Sequence, residues 1–334
     1  MEEVAARAGV STSTVCRALS NNPQISAATR ERIRSLAEEM GYRPDPLLSA
    51  FASRNRTKTK TSDITTIAYI TNFPTADEWR QNTFYRDAYQ GAADRADELG
   101  YKLEHFWLKE PGMTAQRLSK VLYNRGISAI CIAPMPQVRG HLSLDWARFS
   151  CITIGYSMMR PALNRTTPHH YHGIIEAIRE LKRLGYQRIG FCLFKGTGRR
   201  VDDLWVSGWL LCQTLFTDMH LPYFLFEDQT KTGIASWSKR ENLQVVLGGE
   251  PVVLEELRAH GRFPEALAYA SLNWAAHEPE IAGIDQRPSA IGIAAIDTVV
   301  SQLQRGERGV PGYAMTAMIE GRWKAGASAP AFKH

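Results

Sequence analysis

GVSTSTVCRALSNNP, residues 9–23, sets a run of four small hydroxyl residues, a fifth at Ser20 and one arginine between a glycine and an Asn-Pro stop. Val4, Ala5 and Ala8 precede Gly9, and Val10, Val15 and Leu19 follow it. The spacing predicts helix, turn, helix. Gly9 permits a turn that a side chain would obstruct, and Ser11 can cap the second helix by accepting from a first-turn amide. Val15 and Leu19, four apart, share a helical face and point into a small core, leaving Thr12, Ser13, Cys16 and Arg17 on the flanking and opposite faces. Short hydroxyls near a helix N-terminus with an arginine one turn later suit a helix laid in the DNA major groove, where arginine can read guanine O6 and N7 together. An ordinary solvated cap carries the same residue types.

Working outward, Ser26 can cap a third helix whose Ile33, Leu36, Ala37 and Met40 share one face, with Gly41 at the place of a left-handed C-terminal cap. Its other face carries Arg30, Arg32 and Arg34. In YRPDPLLSAFASRNRTKTKT, residues 42–61, two prolines bracket a turn, LLSAFA can form one or two helical turns, and four basic residues follow without an acid. Such a helix is marginal alone. Docked in a narrow groove against a two-fold mate, it could wedge Leu48 or Phe51 between base pairs and kink the duplex. A mobile basic linker is the other reading.

A chain of 334 residues can bury a large core and divides into two or three domains. With 44% hydrophobic and 22% charged residues it has the composition of a soluble globular protein. No apolar run reaches membrane-spanning length, and Glu2 and Glu3 stand where a signal peptide needs a basic region, which places the protein in the cytoplasm, away from membranes. Of the net charge of +6, residues 1–61 supply +4 through ten Lys or Arg and six Asp or Glu, a concentration suited to a nucleic-acid-binding head on a nearly neutral body. The five cysteines, an odd number without a C-x-x-C pair, read as reduced and buried.

From Ile64 the pattern becomes β-rich runs alternating with amphipathic helices: ITTIAYI, a helix over 83–99, KLEHFWL, a helix over 114–125, AICIAP. It recurs with FSCITIGY, a helix over 173–184, RIGFCLF, a helix over 202–217, YFLFE, LQVVLGG, a helix over 251–260 and LAYASLN. Such alternation predicts parallel sheets covered by helices, in two doubly wound halves with a cleft at the carboxyl ends of their strands. The expected fold class is therefore an α/β body of two doubly wound parallel-sheet subdomains behind a small all-α helix-turn-helix head. Loops after the strands offer Asn82, Phe84 and Tyr85, then Trp205, Asn273, Trp274, Asp285 and Gln286. An exposed Trp beside amides and carboxylates suits a sugar, with the ring covering C–H groups and the polar side chains bonding hydroxyls; a Trp on a helix is more often core.

The order EVAARAGVSTSTVCRALSNNPQISAATRERIRSLAEEMGYRPDP closely resembles the DNA-binding head of the lactose-repressor (LacI/GalR) family of transcription regulators, nearly continuously over residues 2–46. The resemblance implies that Thr12, Ser13 and Arg17 read bases and that Phe51 stands where the family has an intercalating Leu. The DNA-contacting set is then Ser11, Thr12, Ser13, Thr14, Arg17, Asn21, Leu48, Phe51 and Arg54. Family heads have a few residues before the first helix, including a capping hydroxyl, so the translated protein is expected to start slightly upstream of Met1. More loosely, residues 64–323 resemble the family's periplasmic-binding-protein-like effector domain, through HHYHGIIEAIRELKRLGYQRIGF and AGIDQRPSAIGIAAIDTVVSQLQRGERG. The implied divisions are a head at 1–45, a hinge helix and basic linker at 46–61, and an effector-binding and dimerisation body at 62–334 with crossovers near 157–167 and 281–290. The implied function is a repressor that binds a palindromic operator in double-stranded DNA as a homodimer and responds to a small polar effector, a sugar or sugar derivative. Here the family's ligand-contacting Arg is Trp205, before Gly208 and Trp209, and its Asn-Asp pair is Gly249-Glu250.

Other signals are weaker. His169, His170 and His172 in TPHHYH would need a further acid or His from the fold to hold a metal, so no metal and no cofactor is expected. His169 falls where the family has an Asp near the cleft entrance, which implies a ligand or structural contact. Gly196 and Gly198 lack the third glycine of a nucleotide fingerprint; Arg199-Arg200 in its place could bind phosphate or simply be solvated. No G-x-S-x-G, H-E-x-x-H or P-loop occurs, so an enzyme ranks below a regulator, as does a solute-binding protein, which needs an export signal and has no use for residues 1–61.

Overall fold

Three short helices build the first unit: α1 (Glu2–Ala8), α2 (Thr12–Leu19) and α3 (Ala27–Glu39). Helices this short are marginal in isolation, and a shared core holds them: Val4, Ala5 and Ala8 from α1, Val15 and Ala18 from α2, Ile33 and Ala37 from α3. Gly9 has φ +66°, while a Cβ built there would meet nothing within 4 Å, so backbone conformation rather than room selects glycine at the turn. In this computed structural model residues 2–19, 25–40, 65–228, 233–264 and 266–332 are described. Asn21, Gly41 and the expected hinge at 46–61, with Leu48, Phe51, Arg54 and Lys58, lie outside them. The chain divides into the units Met1–Asp63 and Ile64–His334.

The second unit holds two six-stranded sheets. In the first, β1 (Thr65–Thr71), β2 (Tyr101–Trp107), β3 (Ala129–Ile132), β5 (Ser150–Ile154), β7 (Asn164–Pro168) and β13 (Thr316–Ile319) run parallel in the order β13-β7-β5-β3-β1-β2. The short β4 (Gly140–His141) and β6 (Met158–Arg160) pair separately. In the second, β8 (Ile189–Phe194), β9 (Tyr223–Phe226), β10 (Val245–Gly248), β11 (Ala268–Ser271), β12 (Ala282–Asp285) and β14 (Arg322–Lys324) follow the order β14-β12-β11-β10-β8-β9, with only β14 antiparallel.

Both faces of each sheet are covered, as the continuous apolar strands require. In β1, Ile67 and Tyr69 enter one core while Ala68 and Ile70 enter another. In β8 and β10, Ile189, Phe191, Leu193, Val245 and Leu247 face one side, Cys192 and Val246 the other. The first sheet is flanked by α4 (Thr83–Glu98), α5 (Ala115–Asn124) and α11 (Pro288–Arg305), the second by α6 (His170–Arg183), α7 (Lys195–Arg200), α8 (Leu204–Leu215), α9 (Ile234–Arg240) and α10 (Pro251–Ala259). Where α4 crosses α11 the backbones nearly touch: a Cβ on Gly292 would lie 2.0 Å from the Ala88 carbonyl oxygen. Cys131, Cys151, Cys192 and Cys212 are buried free thiols, and Cys16 is half-buried.

The chain passes between the two lobes three times. Asn164 in β7 still pairs with Ile152 of β5, so the first passage comes at His169, beyond the expected 157–167. The second lies at Gln286 and Arg287, between β12 and α11. A third, at Glu320 and Gly321, was not anticipated; it arises because β13 joins the edge of the first sheet and β14 the edge of the second.

Candidate nucleic-acid interface and ligand cleft

In the head, Ser11 caps α2: the Thr14 amide donates to Ser11 Oγ at 3.2 Å, and that oxygen also lies 2.9 Å from Ser13 Oγ and from Thr14 Oγ1. The hydroxyl cluster thus fixes the first turn, whose amides and dipole favour a phosphate. Val15 and Ala18 are buried beneath, and Leu19 packs beside them. Thr12, Ser13 and Arg17 are exposed, with Arg17 one turn beyond the hydroxyls. A donor-rich, convex helix end supported by a minimal core can enter a major groove.

In the body, loops after the carboxyl ends of the strands meet across the lobes. Arg200, at the end of α7 after β8, donates through Nη2 to the Tyr85 hydroxyl and through Nη1 to the Pro136 carbonyl at 3.5 Å. Tyr85 stands on α4 after β1, and Pro136 follows β3. In the second lobe Glu250 follows β10 and is only 8% exposed. Its Oε1 accepts from the Phe194 amide at 3.3 Å, while Oε2 has no partner among the described residues. Burial raises its ionisation from the usual carboxylate range to about 7, against hydrogen bonds from Thr197 and Phe194 that favour the charged form. His170, at the start of α6, lies edge-on to Trp205 with ring centroids 4.8 Å apart. Burial, aided by nearby His169, pushes its pKa down to about 3, so it stays neutral, and its Nδ1 has no partner among the described residues. Trp274 Nε1 is likewise buried without a partner among the described residues. Buried polar atoms left unsatisfied mark places where an added molecule would supply the missing bonds.

The family described as "Bacterial regulatory proteins, lacI family" matches residues 1–45. The HTH-type transcriptional regulator AscG of Escherichia coli K12 is 30% identical over 200 residues, covering 57% of this chain and 54% of AscG. Residues 1–45 therefore carry a LacI-family head. The chain's alignment with AscG spans about half the length of that relative. Two solved structures share the fold across both chains. One is the lac repressor dimer bound to operator and the anti-inducer ONPF, at 16% identity, with 98% of each chain covered and a TM-score of 0.56. The other is a complex of the regulator CelR with cellobiose, at 20% identity, with 97% of this chain and 98% of CelR covered and a TM-score of 0.55.

In the body the expected cleft residues have divergent environments. Tyr85 reaches the opposite lobe through Arg200. Asn82 caps α4, accepting from the Tyr85 amide at 3.2 Å, and Phe84 packs into the core of the first lobe. Trp205 is 3% exposed and belongs to the core of the second lobe, which corrects its reading as an exposed platform: on a helix covering a parallel sheet, the indole is buried in the same core as Leu193 and Leu247. Asn273 donates to the Gly249 carbonyl at 2.5 Å and accepts from Gln286, which also donates to the Leu272 carbonyl at 2.7 Å. Those amides tie the ends of β10, β11 and β12 together beside Glu250. Asp285 accepts from the Arg287 amide at 2.8 Å and lies 3.7 Å from Lys324 Nζ, which sits 5.0 Å over the Trp274 ring. Sequence reasoning did not select Arg200, Glu250 or His170 for the cleft, although each stood inside a segment singled out for another reason. Among the described residues no helix is long and apolar enough to cross a membrane.

Proposed function

We propose that this chain is a sequence-specific DNA-binding transcription regulator, a repressor that acts in the cytoplasm, binds a palindromic operator as a homodimer and is controlled by a carbohydrate held between its lobes. The observation that carries the reading is the exposed face of α2, where capped hydroxyls and Arg17 are displayed over buried Val15 and Ala18 in the segment that matches the family. In this mechanism Thr12, Ser13 and Arg17 read base edges, with the Arg17 guanidinium spanning guanine O6 and N7. Ser11, Thr14, Asn21 and Arg54 hold phosphates, and Leu48 and Phe51 supply the minor-groove wedge. One small head buries too little surface for tight specificity, so a two-fold dimer on a two-fold site follows.

The effector reading rests on Arg200, Tyr85 and Glu250. A guanidinium, a phenol and an under-bonded carboxyl provide donors and acceptors for sugar hydroxyls, and the Tyr85 ring provides a face for C–H groups. The cellobiose bound to CelR, on the same fold, supports a carbohydrate. A ligand that favours one lobe arrangement shifts the population, and the shift is transmitted to half-site spacing. The test is to recover genomic DNA fragments on the purified chain, then measure their affinity by fluorescence anisotropy with and without a panel of neutral mono- and disaccharides that includes cellobiose. The proposal expects at least one sugar to change the affinity; unchanged affinity across the panel overturns the carbohydrate assignment, and failure to retain any fragment overturns the DNA assignment.

A further inference from the structure

A cluster at the lobe crossovers plays no part in the DNA and effector reading. His169 is the first-passage residue between β7 and α6, Glu320 belongs to the third passage between β13 and β14, and His172 lies one turn into α6. The His169 and His172 rings stack in parallel, with centroids 3.8 Å apart and planes 8° apart. His172 Nδ1 lies 3.1 Å from Glu320 Oε1 and 3.4 Å from Oε2. The His172 amide donates to His169 Nδ1 at 3.4 Å, which fixes that ring with Nε2 as its other nitrogen. One donor atom from each residue can be chosen so that all lie within 4.8 Å of one another.

We propose that His169, His172 and Glu320 bind one divalent transition-metal ion of the zinc class. Two imidazoles and a carboxylate are a donor set such ions prefer. Ligands about 2.0–2.2 Å from a tetrahedral zinc stand roughly 3.3–3.5 Å from one another, and the His172–Glu320 separation is already close to that edge. An exposed His–Glu pair is worth little by itself; His169 brings a second imidazole within reach, and because an imidazole nitrogen binds a metal in its own ring plane, one ring turns out of the stack when both hold the ion. Water would complete the shell, because the His172 and Glu320 side chains are 54% and 60% exposed. Thiols do not compete in this unit: burial holds the pKa of Cys131 up at about 12 and raises those of Cys151, Cys192 and Cys212. A bound ion would join the first and third passages.

The experiment is calorimetric titration of the full chain with Zn²⁺, paired with Co²⁺ absorption spectra. The expected result is one Zn²⁺ per chain and a Co²⁺ spectrum without a thiolate charge-transfer band. His172→Ala and Glu320→Ala should each weaken binding by roughly tenfold or more, since even outer-shell changes at metal sites cause losses of that size. Both side chains are exposed, so the variants should keep the metal-free melting temperature of the parent. Absence of uptake at millimolar free metal, unchanged affinity in both variants, or a thiolate band that Cys16→Ser abolishes would each overturn the proposal.

Discussion

Glu250→Gln should stabilise the second lobe, and the gain should grow with pH. In the folded chain burial raises the Glu250 carboxyl to about 7 from an ordinary 4.5. The native state therefore keeps a proton that the unfolded chain releases, and stability falls as pH rises from about 4.5 to about 7, then levels off. At about 1.4 kcal/mol per pH unit, the gap between the two ionisations amounts to about 3 kcal/mol once both carboxyls are charged. Gln keeps an acceptor for the Phe194 amide and cannot ionise; its NH2 takes the place of the acid's O–H at the unpartnered position, so it mimics the neutral acid. His170 acts with the opposite sign: held near 3, it costs stability as pH falls below the ordinary imidazole range, and it does so equally in parent and variant. The comparison is urea unfolding of both proteins at pH 5 and pH 8 without effector, read by tryptophan fluorescence. The advantage of Gln should grow by about 2–3 kcal/mol between the two pH values. An advantage that does not change with pH would refute the burial argument, as would a variant less stable than the parent at pH 8.

The remaining predictions concern packing, the cleft contact and DNA. Gly292→Ala forces a Cβ against the Ala88 carbonyl oxygen and must push α4 and α11 apart, at about 1–3 kcal/mol or more; thermal melting should fall by several degrees, and an unchanged melting temperature would show that the helices do not cross so closely. Arg200→Ala removes two hydrogen bonds from a charged donor between the lobes, about 1.5–3 kcal/mol in a half-buried setting, so small-angle scattering should record a larger radius of gyration, and an identical profile would count against the contact. Lys58→Ala, if Lys58 meets a phosphate, should weaken binding to all DNA sequences alike and reduce the salt slope by about 1 in a titration series.

The doubly wound body is legible in the sequence because its central strands are buried on both faces and read as apolar runs, while Asn82, Thr114, Pro251 and Pro288 announce helix starts. Elements without such contrast escape. β13 is exposed along most of its length and β14 has three residues, so neither carries a run, and with them goes the third passage. The short helix α9 follows Gly233, which has no side chain to cap it, and takes its cap from distant Glu256 at the Ala235 amide, so it is equally silent. At the cleft, residue type misleads. Asn273 and Gln286 have amides suited to hydroxyls, yet they bond each other and the backbone, and the amphipathic ring of Trp205 is spent on the core. The under-bonded state of Glu250 is a tertiary property of its burial, invisible in the Gly249-Glu250 pair. The histidines of TPHHYH show the same limit, since their acid comes from Glu320, 148 residues from His172.

Selection of bound sequences from a random DNA pool, by the purified chain and by Arg17→Ala at one stated salt concentration, tests the regulator reading most directly. The account predicts a single motif with two-fold symmetry and a fixed centre, and in the variant a relaxed preference at one base pair of each half-site with a loss of about 1–3 kcal/mol. No enriched motif, or an identical motif at full affinity from the variant, would contradict the assignment of α2 as the helix that reads DNA.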